Sequence, residues 1–582
     1  MSGGDALVIA VDCSTTAAKA VIYDEAGQAV AQAAQTLSTL QPRPAWHEQD
    51  AEQWWTATQG AIAEAVGVLV NPGRVRALCI THQRESFVCL DSAGRALRPA
   101  ILWLDGRAHE EIAELGSTRV HELSGKPPDT TPAIYKLAWL ARHEPAVLRN
   151  AVHVGDVQAY LVWRLTGRWA TSHGSANILG LFDLQRMDWS GELLDLAGVR
   201  VEQLPDLVPA GDEIGTLSKE LARSLGLPGA VPVVFGIGDG QAAGLGLGAT
   251  VSGVAYLNLG TSRVLGVQSE EYLWDPAFRT LAGIRAGKST LETVLNAAAY
   301  VATWCRGQFG ERGVDGAVGE DMEAAAPRLP IGAEGLLTLP YWNAAQTPYW
   351  DALARGAVVG WHGRHTSAHL YRSILEGIGF ELRLHLERLE EVTGQRVESI
   401  RAVGGGARSP LWIRIITDIT QRPVLVCAEP EASAVGAAAL AWEFLGGSPA
   451  RARGALPAAP SGREVLPDGS TVDGYDALFA VYRRTYPALS GLFPDLATAA
   501  NAIAGRQAPT ATSDTVPVHL EASGSDSDSS DRSNLKNSHD TVRANSFCGV
   551  TAVRVCRGAS IPGARWPRRG PCRQHRGPCF AH

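Results

Sequence analysis

At 582 residues the chain exceeds the roughly 250–300 residues at which single cores stop growing, so two or more domains are expected. Its 45% hydrophobic and 19% charged content describes a globular protein with ample core, and the net charge of -8 argues against a non-specific nucleic-acid binder. The apolar run at 6–11 is short and ends at Asp12, fitting neither a signal peptide nor a membrane span, so a cytoplasmic protein without membrane or nucleic-acid partners is expected.

Residues 7–31, LVIAVDCSTTAAKAVIYDEAGQAVA, read as strand, tight turn, strand, then a turn at Glu25–Gly27 into a third strand. A helix follows from Asp50, a favoured N-cap, to Val66. Arg76–Asp91 reads as strand, polar turn, strand, and Ala100–Trp103 is another apolar run. Between Glu110 and Val201 the pattern is mostly helical, with loops at Lys126–Pro132 and Gly167–Gly174. The stretch VPVVFGIGDGQAAGLGLGA, residues 231–249, then gives a strand buried on both faces, the Gly238-Asp239-Gly240 turn, and a helix of small residues.

A second strand–turn–strand, SGVAYLNLGTSRVLGVQ, occupies residues 252–268. A long helix is expected from Thr366 to about Thr393, then a strand at Ser399–Val403 entering Gly404–Gly406, a helix at Ser409–Thr420, a strand at Val424–Cys427 and an alanine-rich helix at Ala432–Leu445. VDCSTT at 11–16 can be laid over LNLGTS at 257–262, an imperfect repeat that suggests two similar α/β domains across a cleft. The expected spans are 6–250 and 251–504. Residues 505–582 form a tail, polar and low in complexity at Ser523–Ser538 and rich in Arg, Gly and Pro from Arg543, read as disordered or as a basic arm for an anionic partner.

The nine cysteines divide between the two parts. Cys13, Cys79, Cys89, Cys305 and Cys427 lie in mostly apolar surroundings and are expected to be reduced and buried. Cys548, Cys556, Cys572 and Cys579 in the tail lack close CxxC pairs, so no metal site is expected there.

Turns of small and hydroxyl residues between strands direct successive backbone N–H groups outward, making anion nests. Cys13–Thr16 and Gly260–Ser262 are candidates, with hydroxyls from Ser14, Thr15, Thr16, Thr261 and Ser262, and together they could grip a polyphosphate from both sides. Asp12 could hold a phosphate-bound Mg²⁺ through water, or cap its turn. Lys19 could touch phosphate or be a solvated strand residue. Gly404, Gly405, Gly406 and Ala407 offer bare backbone against which a nucleotide base could lie, or allow strand and helix to pack closely.

Asp239, at a strand end, could meet a substrate or cap the following helix. Gln83, Arg84 and Glu85 in a polar turn can exchange hydrogen bonds with the hydroxyls of a small molecule, or be a surface ion pair. Trp103, Asp105 and Arg107 end the next apolar run, and Trp103 could wall a carbon skeleton or pack in the core.

These residues resemble the FGGY carbohydrate kinases over nearly all of 6–495. The resemblance rests on VDCSTT with Lys19, ITHQRE at 80–85, AILWLDGRA at 100–108, GIGDGQAAG at 236–244, NLGTS at 258–262, TPYWDALARGAVVG at 347–360, GGGARSPLW at 404–412 and EASAVGAAALA at 431–441. It implies two actin-like (ribonuclease H-like) α/β domains around an ATP cleft, transfer of the γ-phosphoryl to a sugar or polyol hydroxyl, and Asp239 as catalytic base. THQRE and PYWD resemble the glycerol kinases, whereas AILWLDGRA and GGGARSPLW look more like xylulokinases. Small groups at Gly240 and Thr131 are expected to enlarge the pocket, so a pentulose or a four- to five-carbon polyol is the expected substrate, with glycerol as the alternative. An actin- or chaperone-like nucleotide switch is the reading from a different class; Gln83–Glu85, Trp103 and Asp239 argue against it. A homodimer is kept open as the assembly.

Overall fold

The two strand–turn–strand units seed two sheets of matching order. A computed structural model describes residues 6–285, 287–310, 321–428, 431–446 and 461–507. In the first sheet, Leu7–Cys13 pairs antiparallel with Ala17–Asp24, which pairs antiparallel with Ala29–Thr36. On its other side Leu7–Cys13 pairs parallel with Val75–His82, then Pro232–Gly238 adds in parallel and Glu213–Thr216 closes the edge antiparallel. The second sheet repeats the plan: Val254–Leu259 is antiparallel to Arg263–Ser269, which is antiparallel to Ser289–Leu295. Ser399–Val403 and Val424–Cys427 extend it in parallel, and Gly462–Val465 closes that edge antiparallel. Arg279–Ala282 adds a seventh strand beyond Ser289–Leu295. The overlay of VDCSTT on LNLGTS thus marks two structurally equivalent hairpins.

The central strands are apolar because both faces are covered. Leu7, Val8, Ile9, Ala10 and Val11 are all buried, with Ile9 and Val11 facing one core and Val8 and Ala10 another. That second core is the seam between the first sheet and the alanine-rich helix Ala432–Phe444. Its key contact joins the small-residue helix Asp239–Gly246 to the alanine-rich helix Ala432–Phe444. A Cβ on Gly246 would stand 2.1 Å from the carbonyl O of Ala432, and one on Gly436 would stand 2.0 Å from that of Ala242. The helices touch backbone to backbone, which is why GDGQAAGLG and SAVGAAALA contain nothing bulky where they meet.

The helix Ala51–Gly67 starts at Asp50, whose Oδ1 accepts the Glu52 N–H at 3.0 Å, and the 27-residue helix Ser367–Thr393 stops at left-handed Gly394. One expectation is refined. The mostly helical stretch Glu110–Val201 also contains the strands His153–Asp156, Ala170–Ser172, Phe182–Asp183 and Asp188–Trp189, each too short to show a periodicity. Ser289–Leu295, STLETVL, assigned to no element from the sequence, is a wholly buried strand. The last described helix is Leu492–Gln507, and the reading of the tail falls, from residue 508 onward, outside the described residues. None of the described helices is long and apolar enough to cross a membrane.

Candidate active site

A cavity of about 250 Å³ opens between the sheets. Ser14 and Thr15 line one side, Asn258, Gly260, Thr261 and Ser262 the other, with Arg84, Glu85, Trp103, Thr131, Asp239, Gly240, Tyr256, Arg279 and Ser433 between them. The two hydroxyl turns therefore face the same space. The first is closed by Ser14, whose N–H and Oγ both donate to the Ala17 carbonyl at 2.9 Å. The second is buttressed by the helix Ala298–Phe309, whose Ala298 N–H donates to the Thr261 carbonyl at 3.0 Å, while Ser262 Oγ donates to the Asn296 carbonyl at 3.2 Å.

Asp239 begins the helix that leaves Pro232–Gly238, with Gly238 at the N-cap and the carboxylate at the helix N-terminus. Its Oδ1 accepts the Gly240 N–H at 2.7 Å and lies 3.1 Å from Arg84 Nε. Ser433 Oγ donates to the Asp239 backbone carbonyl at 3.1 Å, tying the residue to the alanine-rich helix opposite.

Arg84 is a bridge. Its Nη1 donates to both carboxylate oxygens of Glu292 at 2.9 Å, a contact 208 residues long in sequence. Glu292 also accepts from Arg279 Nη2 at 2.7 Å and from the Tyr256 hydroxyl. Arg279 Nη1 lies 3.5 Å and Lys126 Nζ 3.3 Å from Glu85 Oε1. Three cations thus meet the carboxylates of Asp239, Glu292 and Glu85. Burial alone would raise the Glu292 pKa, but Arg84 and Arg279 outweigh it and pull the group down to about 2. Burial opposes the charge of Arg84 too, yet Glu292 and Asp239 hold its pKa above the ordinary value. Burial brings Lys126 down to about 8 despite Glu85, while Glu85 is lowered because Lys126 and Arg279 prevail over its own burial. Glu85 sits at φ 64°, where a side chain costs roughly 1–2 kcal/mol, and its buried cation partners hold it there.

Several expected site residues stand behind the wall. Gln83 is buried, accepting from Thr15 Oγ1 at 3.2 Å and Ser86 Oγ at 3.0 Å, so it positions the first turn without reaching the cavity. Asp105 is not a lining group either: its side chain is sealed, with Arg107 Nε at 2.8 Å and the His47 N–H at 2.6 Å. Arg107 in turn lies over the Trp46 ring. Trp103 does face the cavity, with Nε1 donating to Thr15 Oγ1 at 3.0 Å. Thr16 is exposed and outside the lining. Gly404 stands at φ 96°, where a Cβ would meet Asn258 Oδ1 at 2.8 Å, so Gly404–Ala407 borders the second turn from behind; Gly405 opens on free space. The room expected from Gly240 is already filled: a Cβ there would lie 2.7 Å from Arg84 Nη2 and 2.9 Å from Glu292 Oε1. Thr131 lines the cavity with its short side chain.

Lys19 is paired, its Nζ donating to Glu431 Oε1 at 2.5 Å across the seam. Asp12 is half-buried, but its Oδ1 is sealed from solvent without a hydrogen-bond partner. Burial, then the charges of Asp239 and Glu431, raise its pKa to about 7, against the opposing effect of Lys19. An orphaned carboxylate oxygen facing two more carboxylates has the chemistry of a hard-cation site, so these residues fit Mg²⁺. Sequence reasoning missed Glu292, Arg279, Lys126 and Glu431. Lys126 lies inside a stretch read as a loop, and the other three are brought in from the second sheet and its helices.

Residues 7–246 match the N-terminal domain of the FGGY family of carbohydrate kinases, and residues 255–442 match its C-terminal domain. The chain belongs to this family. It is an ATP-dependent carbohydrate kinase with two actin-like domains. It is 32% identical to a xylulose kinase of Escherichia coli K12 over 83% of this chain and 99% of that protein. A glycerol kinase of Thermococcus onnurineus is 29% identical over 76% of this chain and 91% of that one. The crystal structure of a xylulose kinase from Rhodospirillum rubrum superimposes with a TM-score of 0.77 at 29% identity, covering 84% of this chain and 99% of that chain.

Proposed function

We propose that this kinase phosphorylates a hydroxyl of a five-carbon ketose of the xylulose type, in the cleft between its domains, with Asp239 as the base. The observation that carries the reading is the carboxylate of Asp239 in a cavity flanked by both hydroxyl turns. Its Oδ1 is occupied by the Gly240 N–H and by Arg84, so Oδ2 is the atom left to accept the proton of the attacking hydroxyl. Such a carboxylate acts chiefly by aligning the hydroxyl in line with the transferring phosphoryl group. The turns Ser14–Thr16 and Gly260–Ser262 would grip the phosphates from opposite domains, and the bare backbone of Gly404–Ala407 would flank the base. Arg84 and Glu85, held by Glu292, Arg279 and Lys126, would receive the remaining substrate hydroxyls, and Trp103 would cover the carbon chain.

Mg²⁺ completes the reading: bound beside Asp12, it would neutralise charge on the phosphates. Lys19, engaged by Glu431, is assigned to balancing that acidic edge. Residues 6–250 are taken as the domain carrying the sugar site and base, and 251–504 as the nucleotide domain. A cytoplasmic setting suits the ATP requirement and the five described free cysteines. Similarity to a xylulose kinase over nearly its whole length supports the ketose, as does the short Thr131 side chain in the cavity wall. A glycerol-kinase-like Arg84-Glu85 pair supports the second reading, a smaller polyol. A coupled ADP-release screen of ketopentoses, four- and five-carbon polyols and glycerol decides between them: the highest kcat/KM is expected for a 2-ketopentose. Glycerol at equal or higher kcat/KM would overturn the ketose assignment.

A further inference from the structure

Lys136 is fully buried and takes no part in the phosphate turns or the base. It is the fourth residue of the helix Ala133–His143, close to the end where the helix dipole is positive. Burial and the dipole both oppose its charge, so a lysine at this position needs compensation. Its Nζ donates to three main-chain carbonyls, those of Leu102 at 3.1 Å, Trp103 at 3.0 Å and Thr131 at 2.9 Å. An ammonium has three N–H donors, and here each one meets an acceptor.

The three carbonyls belong to two segments that the fold brings together. Leu102 and Trp103 follow the strand Ala100–Ile101, and Thr131 lies in the loop that enters the helix. Trp103 and Thr131 both line the catalytic cavity, whereas Lys136 does not. One sealed ammonium therefore holds two pieces of the cavity wall from behind. The Trp103 N–H donates to Ser86 Oγ at 3.1 Å and its indole Nε1 to Thr15 Oγ1 at 3.0 Å, which ties the ring to the first hydroxyl turn. Thr131 Oγ1 donates to Asp129 Oδ2 at 3.0 Å, within its own loop. Of these bonds, only those from Lys136 join the Trp103 segment to the Thr131 loop.

The grip depends on the proton. Burial brings the Lys136 pKa down to about 8, while Glu85, Asp105 and Asp129 pull it up and Arg107 adds to the effect of burial. Below that value the ammonium supplies three donors. Above it the neutral amine has two, and one carbonyl of the wall is released.

We propose that Lys136 is a positioning residue for the sugar, a role that rests on this cavity being the sugar site. By clamping the carbonyls of Leu102, Trp103 and Thr131 it sets the spacing between the indole and the Thr131 side chain, and it touches no reacting atom. The test uses the full chain and the substrate with the highest kcat/KM in the ADP-release screen. Lys136→Met keeps the length of the side chain and removes every donor. At pH 7 it should raise the sugar KM about tenfold or more, because small misplacements of a positioning group are costly, and leave kcat and the ATP KM within about threefold. In wild type the sugar KM should climb above about pH 8 while the ATP KM stays level. Lys126 is also brought down to about 8, so Lys126→Met is the comparison: the climb should persist there and flatten in Lys136→Met. If Lys136→Met fails to fold, wild type and Lys126→Met still decide, since a climb in both supports the clamp and a level sugar KM in either overturns it. The proposal is also overturned if folded Lys136→Met keeps the wild-type sugar KM, or if its sugar and ATP KM rise together. Trp103→Ala separates the clamp from the reading of the cavity. An unchanged sugar KM in that variant removes the sugar site and the clamp with it, whereas a raised one beside a wild-type KM in Lys136→Met defeats the clamp alone.

Discussion

Replacing Glu292 by Gln keeps the shape of the side chain but removes the charge between Arg84 and Arg279. The magnitude follows from the titration of that carboxyl. Its folded pKa of about 2 lies below the ordinary 4.5, so its stabilisation is fully present above pH 4.5 and is lost as pH falls toward 2. At about 1.36 kcal/mol for each pH unit by which folding lowers the pKa, Glu292 contributes about 3 kcal/mol at pH 7 and about 2 kcal/mol at pH 3.5. Breaking a buried ion pair by neutralising one partner costs a similar 3–5 kcal/mol or so. For a cooperative unit of about 250 residues, 1 kcal/mol moves the midpoint by about 2 °C. Glu292→Gln should therefore lower the melting temperature by about 6 °C at pH 7, with a smaller difference at pH 3.5. The same variant frees Arg84 from the second domain, so the sugar KM should rise more than the ATP KM. Differential scanning calorimetry at both pH values, with steady-state kinetics at pH 7, makes the check. A variant that melts within 1 °C of wild type at pH 7, or a gap that widens in acid, would refute the assignment of Glu292 as the keystone of the cluster.

Two further outcomes follow from the site. Asp12 has a raised carboxyl pKa, about 7 against an ordinary 3.8, so its charge destabilises the Mg²⁺-free protein by an amount that is absent below pH 3.8 and complete above about 7. Asp12→Asn should thus be more stable than wild type at pH 8 without Mg²⁺, by up to about 4 kcal/mol, and should lose the stabilisation that Mg²⁺ with nucleotide gives wild type; a less stable variant at pH 8 would sink this reading. Thr131→Tyr adds a large side chain to the cavity wall that Thr131 lines. It should raise the ketose KM tenfold or more while altering glycerol turnover little, and parallel loss of both substrates would show that Thr131 does not set pocket length.

Most of the fold was legible because it is local. The two hairpins, the capped helix at Asp50 and the glycine-ended helix at Thr393 each announce themselves within a few residues. Asp239 was legible for the same reason: a buried strand ends, glycines flank a carboxylate, and small residues follow. What could not be read was long-range pairing. Lys19 meets Glu431 across 412 residues and Arg84 meets Glu292 across 208, and no local pattern carries either contact. Glu292 also sits in a strand whose Ser and Thr residues are buried, so alternation hid the strand itself. Gly240 was read correctly as small, but the reason lay elsewhere: the Arg84–Glu292 pair occupies the space that a side chain would need.

The most direct measurement compares Asp239→Asn with wild type in two assays on the same protein: single-turnover phosphorylation of the preferred sugar, and equilibrium binding of ATP. Transfer is expected to fall roughly 10²–10⁴-fold while the ATP dissociation constant stays within a factor of about three. Transfer within tenfold of wild type, or nucleotide affinity lost along with it, would contradict the claim that this carboxylate aligns the sugar hydroxyl between the two phosphate-binding turns.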